Sequence, residues 1–237
     1  MRHRRVNSGV GIPVYLYGAT NGFAAARGCD SCWAGCGNTA AGWRVATASY
    51  FQPALAASRC DTGTAVFWAG IGGDGNDKMG QTGTASGENG WPAGSAWVET
   101  DPRHNAPFQF PGNPVAAPGT HVYASTAYSD SRYQFTIRLG THTFTMGYQG
   151  SWTRADATAE AIAEHVVGTR IANFGTVRMI ALNGRHYSPV QDHPHKRWTT
   201  WGIAVSPLLD AGFRIRQTDC LGSAVGQTTA AGTVAGP

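Results

Sequence analysis

Short runs rich in β-branched and aromatic residues, each closed by Gly, Pro, Asn or Asp, fill the chain from Trp43 to Thr218. They include WRVATASYF (43–51), TAVFWAGI (64–71), SAWVET (95–100), HVYASTAY (121–128) and RYQFTIRL (132–139). HTFTMGY (142–148), RIANFGTVRMIAL (170–182), TTWGIAVS (199–206) and GFRIRQT (212–218) continue the series. Runs this short do not sustain an apolar helical stripe, whereas strands need only about five or six residues. Their spacing predicts an all-β domain, either an antiparallel sandwich or a barrel. The intervening residues agree: SDS (129–131) separates two alternating runs, Asn183-Gly184 signals a hairpin, and PGNPVAAPG (111–119) reads as a loop.

A chain of 237 residues with 42% hydrophobic and 14% charged residues can bury a real core, and its 32 glycines suit many tight turns. The formal charge of +4 owes three units to Arg2, Arg4 and Arg5, which leaves +1 for everything else and no argument for nucleic acid as a partner. No apolar run approaches the roughly 18 residues of a spanning helix, so no membrane partner is expected. A monomer is expected.

The first thirty residues, beginning MRHRRVNSGVGIPVYLYG, have the basic start and small-residue end of a secretory signal around an interrupted middle, and read as a degenerate signal or an N-terminal extension. Residues 31–221 then form the domain, and 222–237, small and polar, form a flexible tail. Five cysteines, Cys29, Cys32, Cys36, Cys60 and Cys220, leave one over if they pair. The C-x2-C-x3-C cluster has no fourth zinc ligand nearby, so disulfides in a secreted protein are the favoured use.

The stretch FWAGIGGDGNDKMGQTG (67–83) contains a G-x-G-x-x-G pattern at Gly70, Gly72 and Gly75. A dinucleotide turn must open a helix, and the density of Gly, Ser and Asn that follows cannot start one. A calcium loop starting at Asp74 would need Gly at its sixth position, which is Met79. The remaining reading is a close-packed turn beside a cleft, with Gln81 emerging after it. ADATAEAIAEHVV (155–167) is ambiguous: its composition favours a helix, whereas its alternation would put Glu160, Ile162 and Glu164 on one face of a strand.

Motifs in order along the chain carry a family likeness. CWAG (32–35) is similar to NWAG, ATASYFQP (46–53) to VSATWTVP, and FWAGIGGDG (67–75) to VWVGIDGD. GQTG (80–83), AWVETDP (96–102), AEAIAE (159–164) and NFGTV (173–177) follow in the same order. Together they resemble the glutamic peptidases of the G1, or eqolisin, family. The resemblance implies a concanavalin A-like β-sandwich of two antiparallel sheets, with residues 159–164 as a strand. It also implies a peptidase acting on polypeptides, with Gln81 and Glu160 catalytic, Trp33, Trp68, Glu99 and Gly72 at the substrate, and no metal or other cofactor.

Such a pair makes chemical sense. Glu160 would take a proton from water and return it to the leaving amine, while the Gln81 amide would orient the water and stabilise the oxyanion. A Gln partner imposes no like-charge repulsion, so the carboxyl can titrate near about 4.3 and the enzyme is expected to work at acid pH. Gly72 stands where relatives have Asp, and Ala161 replaces a bulky residue beside Glu160. The competing reading is a non-catalytic module that binds glycans or peptides in an aromatic groove. HYSPVQDHPHKRW (186–198) reads as a solvated loop in preference to a histidine metal site.

Overall fold

The computed structural model describes residues 33–39, 42–56, 63–72, 78–87, 90–101, 104–149, 158–164, 171–183, 188–189, 195–198, 202–209 and 212–218. The expected N-terminal signal or extension and the C-terminal tail lie outside these residues. Every regular element described is a strand. In chain order they are β1 (Trp33–Asn38), β2 (Val45–Phe51), β3 (Ala65–Gly72), β4 (Met79–Ser86), β5 (Ser95–Asp101), β6 (His104–Gln109), β7 (His121–Ser129) and β8 (Arg132–Leu139). They continue with β9 (His142–Gln149), β10 (Ala159–Glu164), β11 (Thr176–Asn183), β12 (Ser188–Pro189), β13 (His195–Trp198), β14 (Ile203–Val205) and β15 (Gly212–Gln217).

Two antiparallel sheets result, so the sandwich holds and the barrel does not. One has seven strands in the order β13-β1-β10-β3-β4-β5-β6; the other has eight, β14-β15-β11-β2-β7-β8-β9 with β12 beside β11. Between them lies the core, in which Phe67, Ile71, Tyr133, Phe135, Ile137, Met179 and Phe213 are all buried. Tyr50 contributes its ring to this core and satisfies its hydroxyl against Phe67 O at 3.0 Å and Thr84 Oγ1 at 2.8 Å.

Local chemistry accounts for much of this. RYQFTIRL alternates, so Tyr133, Phe135, Ile137 and Leu139 of β8 all point into the core. The turn before it pairs Ser129 with Arg132, leaving Asp130 and Ser131 with φ of 49° and 61°, the left-handed pair that a two-residue hairpin requires. Residues 159–164 are strand β10, between β1 and β3, so cross-strand pairing overrides their helix propensity.

Several expectations need correction. Met79–Ser86, read only as a turn-rich stretch, is strand β4, and the turn expected around Gly70 starts later: Gly70 lies inside β3, as the run TAVFWAGI predicts. The predicted loop over 186–198 contains β13, which closes the edge of the seven-stranded sheet against β1. RIANFGTVRMIAL becomes a strand only from Thr176. The hairpin signalled by Asn183-Gly184 is present, since β11 pairs antiparallel with β12, but Asn183 itself is the last residue of β11. It pairs with Ser188, is fully buried, and ties the two sheets together: its Nδ2 donates to Asn38 Oδ1 at 2.9 Å and Ala159 O at 3.2 Å, and its Oδ1 accepts from Thr47 N at 3.1 Å. Cys36 is a free thiol buried on the core side of β1, where loss of solvent pushes its pKa up to about 12 against a partly opposing pull from Arg197. The other four cysteines lie outside the described residues.

Candidate active site

Cross-strand register sets the geometry. Glu160 on β10 stands opposite Gly70 on β3, Gly70 opposite Gln81 on β4, and Gln81 opposite Glu99 on β5. Directly opposed residues of antiparallel strands project from the same face. Glu160, Gln81 and Glu99 therefore share the outer face of the seven-stranded sheet. Gly70 puts no side chain between Glu160 and Gln81, whose Cα atoms are about 9.6 Å apart by two strand spacings.

The row continues beyond Glu160. On the other side Glu160 faces Gly37 of β1, and Gly37 faces Lys196 of β13. Both glycines flanking Glu160 lie under tryptophan edges. A Cβ on Gly70 would come within 2.6 Å of the Trp68 ring, and one on Gly37 within 2.9 Å of the Trp198 ring. Glu160 is thus bracketed by Trp68 and Trp198. Trp33 meets Trp68 edge to face, with ring centroids 4.9 Å apart, and Trp68 Nε1 donates to Glu164 Oε2 at 2.8 Å. Val66, Trp97 and Ile162 pack into the same outer cluster.

Polar contacts define the two central side chains. Gln81 is 4% exposed and donates from Nε2 to Glu99 Oε2 at 2.5 Å. A carboxylate only accepts, so this contact fixes which end of the Gln81 amide faces Glu99. Gln81 Oε1 is buried with no hydrogen-bond partner, as is the indole Nε1 of Trp97. An orphaned buried acceptor costs about 1–3 kcal/mol until a donor reaches it. Glu160 is fully buried, and its Oε1 accepts a hydrogen bond from Thr158 Oγ1. Thr158 is held in turn, since its carbonyl accepts from Gly72 N at 3.0 Å. Gly72 has a φ of 80°, and a Cβ there would meet Lys78 O at 2.1 Å.

Gln81, Glu160, Glu99, Trp33 and Trp68 accordingly share one face, while the backbone N–H of Gly72 acts on Thr158. Sequence reasoning missed Trp198, Lys196 and Thr158. Trp198 and Lys196 were hidden in a segment read as loop. Thr158 could have been found from its place two residues before Glu160, on the same face of an extended chain. Among the described residues no group of three or more His, Cys, Asp or Glu is placed to hold a metal. A cavity of about 300 Å³ lies elsewhere, lined by residues of the β7–β9 meander such as Arg132, Tyr133 and Met146.

Comparison with solved structures shows the same architecture. The crystal structure of scytalido-glutamic peptidase with a transition state analog inhibitor matches with a TM-score of 0.63 and 18% identity, covering 79% of this chain and 98% of that one. The structure of SCP-B, a member of the eqolisin family, in a complex with the tripeptide Ala-Ile-His matches with a TM-score of 0.58 and 15% identity, covering 79% and 98%. Comparison with curated proteins found no match to the sequence. The family model described as the peptidase A4 family matches residues 31–191. This chain therefore belongs to the peptidase A4 family, the glutamic endopeptidases of the eqolisin type.

Proposed function

We propose that this protein is a secreted, monomeric endopeptidase that hydrolyses polypeptides at acid pH through Glu160 and Gln81, without metal or other cofactor. A water between the two side chains, above Gly70, loses a proton to Glu160 as its oxygen attacks the scissile carbonyl carbon. The remaining N–H of the Gln81 amide stabilises the oxyanion, and Gln81 Oε1 accepts from the attacking water. Collapse of the tetrahedral intermediate breaks the C–N bond, and Glu160 returns its proton to the departing amine. Thr158 and Glu99 hold the two groups in place.

The observation that carries this reading is the orphaned Gln81 Oε1 on the same face as Glu160, across a residue with no side chain. The test is cleavage of a denatured protein across a pH series by wild type, Glu160→Gln and Gln81→Ala. Acid-pH cleavage by wild type, with a deep loss in both variants, is expected; equal cleavage by all three, or by none, overturns it. Complete burial of Glu160 favours a second reading, a groove that binds peptide or glycan without cutting. That reading predicts no cleavage and saturable binding unchanged by Glu160→Gln.

A further inference from the structure

The cross-strand row that carries Gln81 and Glu160 ends in opposite charges. Glu99 stands at the Gln81 end and Lys196 at the Glu160 end, on edge strand β13. Lys196 is exposed, and its Nζ sits 5.3 Å from the centroid of the Trp198 ring, close enough for a cation–π contact. Trp198 is 7% exposed and packs in the outer cluster with Trp33, Trp68 and Ile162. Since residues i and i+2 of a strand share a face, Lys196 projects from the face that bears Glu160. The family match ends at residue 191, so neither Lys196 nor Trp198 lies within the matched region.

From these positions we propose that Lys196, presented on the Trp198 ring, is a specificity-determining residue: it forms a cationic subsite that selects substrates with an acidic side chain on the Glu160 side of the scissile bond. The proposal rests on the Glu160/Gln81 reading for the position of that bond. Three strand spacings separate Gly70 from Lys196, about 14 Å, and an extended peptide advances about 3.4 Å per residue. A peptide crossing the strands would bring roughly its fourth residue from the cut to Lys196. Glu99, two spacings from Gly70 on the other side, disfavours acidic residues there. An aromatic floor adds to a cation at a rim because it displaces water from one side of the ammonium.

The test is a set of matched peptides with one cleavable bond, carrying Glu or Lys at each position within four residues of the cut. Wild type, Lys196→Ala, Lys196→Glu and, as a charge control on the other sheet, Arg138→Ala are compared by kcat/KM. Binding of the same peptides to Glu160→Gln, with and without Lys196→Glu, is measured in parallel. The expected result is an about two- to fivefold preference for Glu at one outer position, carried by KM. It should fall as salt is raised, vanish in Lys196→Ala, reverse in Lys196→Glu and persist in Arg138→Ala. Cleavage with the same Glu-to-Lys ratio in wild type and both Lys196 variants overturns the subsite and leaves the Glu160/Gln81 reading standing. A binding preference that reverses with Lys196→Glu, without cleavage by wild type, supports the subsite and overturns the catalytic reading. Neither cleavage nor a charge-dependent binding preference overturns both.

Discussion

On the outside of the eight-stranded sheet, Arg132, Gln134 and Arg138 of β8 and Arg178 of β11 lie in water, while Tyr133, Phe135, Ile137 and Met179 between them are buried. On the seven-stranded sheet this alternation is absent: β1 and β3 are buried at every position, and β4 at all but its first residue. The charged groups differ too. The outer row of the seven-stranded sheet holds Glu99 and Glu160 with Lys196 at its edge, and the other outer face holds the arginines. An antiparallel sheet with one wet face is ordinary. A sheet buried on both sides, with carboxylates among its tryptophans, is organised around something other than stability, because a buried carboxylate costs free energy unless it is well partnered.

Substitutions on the two faces should separate this reading from simple packing. The largest effect belongs to Glu160→Gln, expected to lower kcat about a hundred- to ten-thousandfold, whereas Arg138→Gln on the other face should leave cleavage unchanged. Gln81→Ala should follow, with about a hundred- to thousandfold loss, or roughly 2.7–4 kcal/mol. A loss of the same size for Arg138→Gln would erase the distinction between the faces.

Glycines sharpen the comparison by stability. A Cβ on Gly70 would lie 2.6 Å from the Trp68 ring and 3.2 Å from Gln81 Cβ, so Gly70→Ala should cost about 1–3 kcal/mol by denaturant unfolding. The matching change on the wet face, Gly147→Ala, meets only the mobile tip of Arg132 at 3.3 Å and should shift stability by less than about 0.5 kcal/mol. Equal costs at both positions would show that the crowding between Trp68 and Gln81 is not structural.

Reactivity provides a further check. With its pKa pushed up to about 12, Cys36 should resist alkylation at pH 8 in the native protein and react after unfolding, as read by peptide mass mapping. The smallest effect concerns His121 of β7, whose ring contacts Ser49 Oγ at 2.7 Å. Partial burial, and then the nearby Arg138, lowers its pKa from 6.5. The unfolded chain therefore takes up this proton first, so stability is lost as pH falls below about 6.5 and the loss stops growing below the folded-state pKa. Between pH 7.5 and 5, wild type should lose slightly more stability than His121→Gln; an identical slope would show that His121 is not the group responsible.

Legibility followed the same division between faces. β8 and the Asp130-Ser131 turn could be read directly, because one wet face imposes a period of two and a left-handed turn requires particular residues. β4 could not, because a strand of Gly, Thr and Ser buried on both sides has no polar alternation to display. Gln81 was accordingly expected after a turn, and it is the third residue of a strand. Asn183-Gly184 signalled the β11–β12 hairpin correctly, but that the Asn183 amide also bridges the two sheets depends on what lies beside it. Family motifs identified Glu160, Gln81, Glu99, Trp33 and Trp68 but ended before Trp198 and Lys196.

By itself, then, the order of residues determined an all-β chain, the facing of its exposed strands and the chemical types available for catalysis, since periodicity and turn preference act over a few neighbours. Only the tertiary structure decided that Lys196, Gly37, Glu160, Gly70, Gln81 and Glu99 form one row. Those residues come from six strands far apart in the chain, and their alignment is a property of hydrogen-bond register across a sheet, which no local pattern encodes.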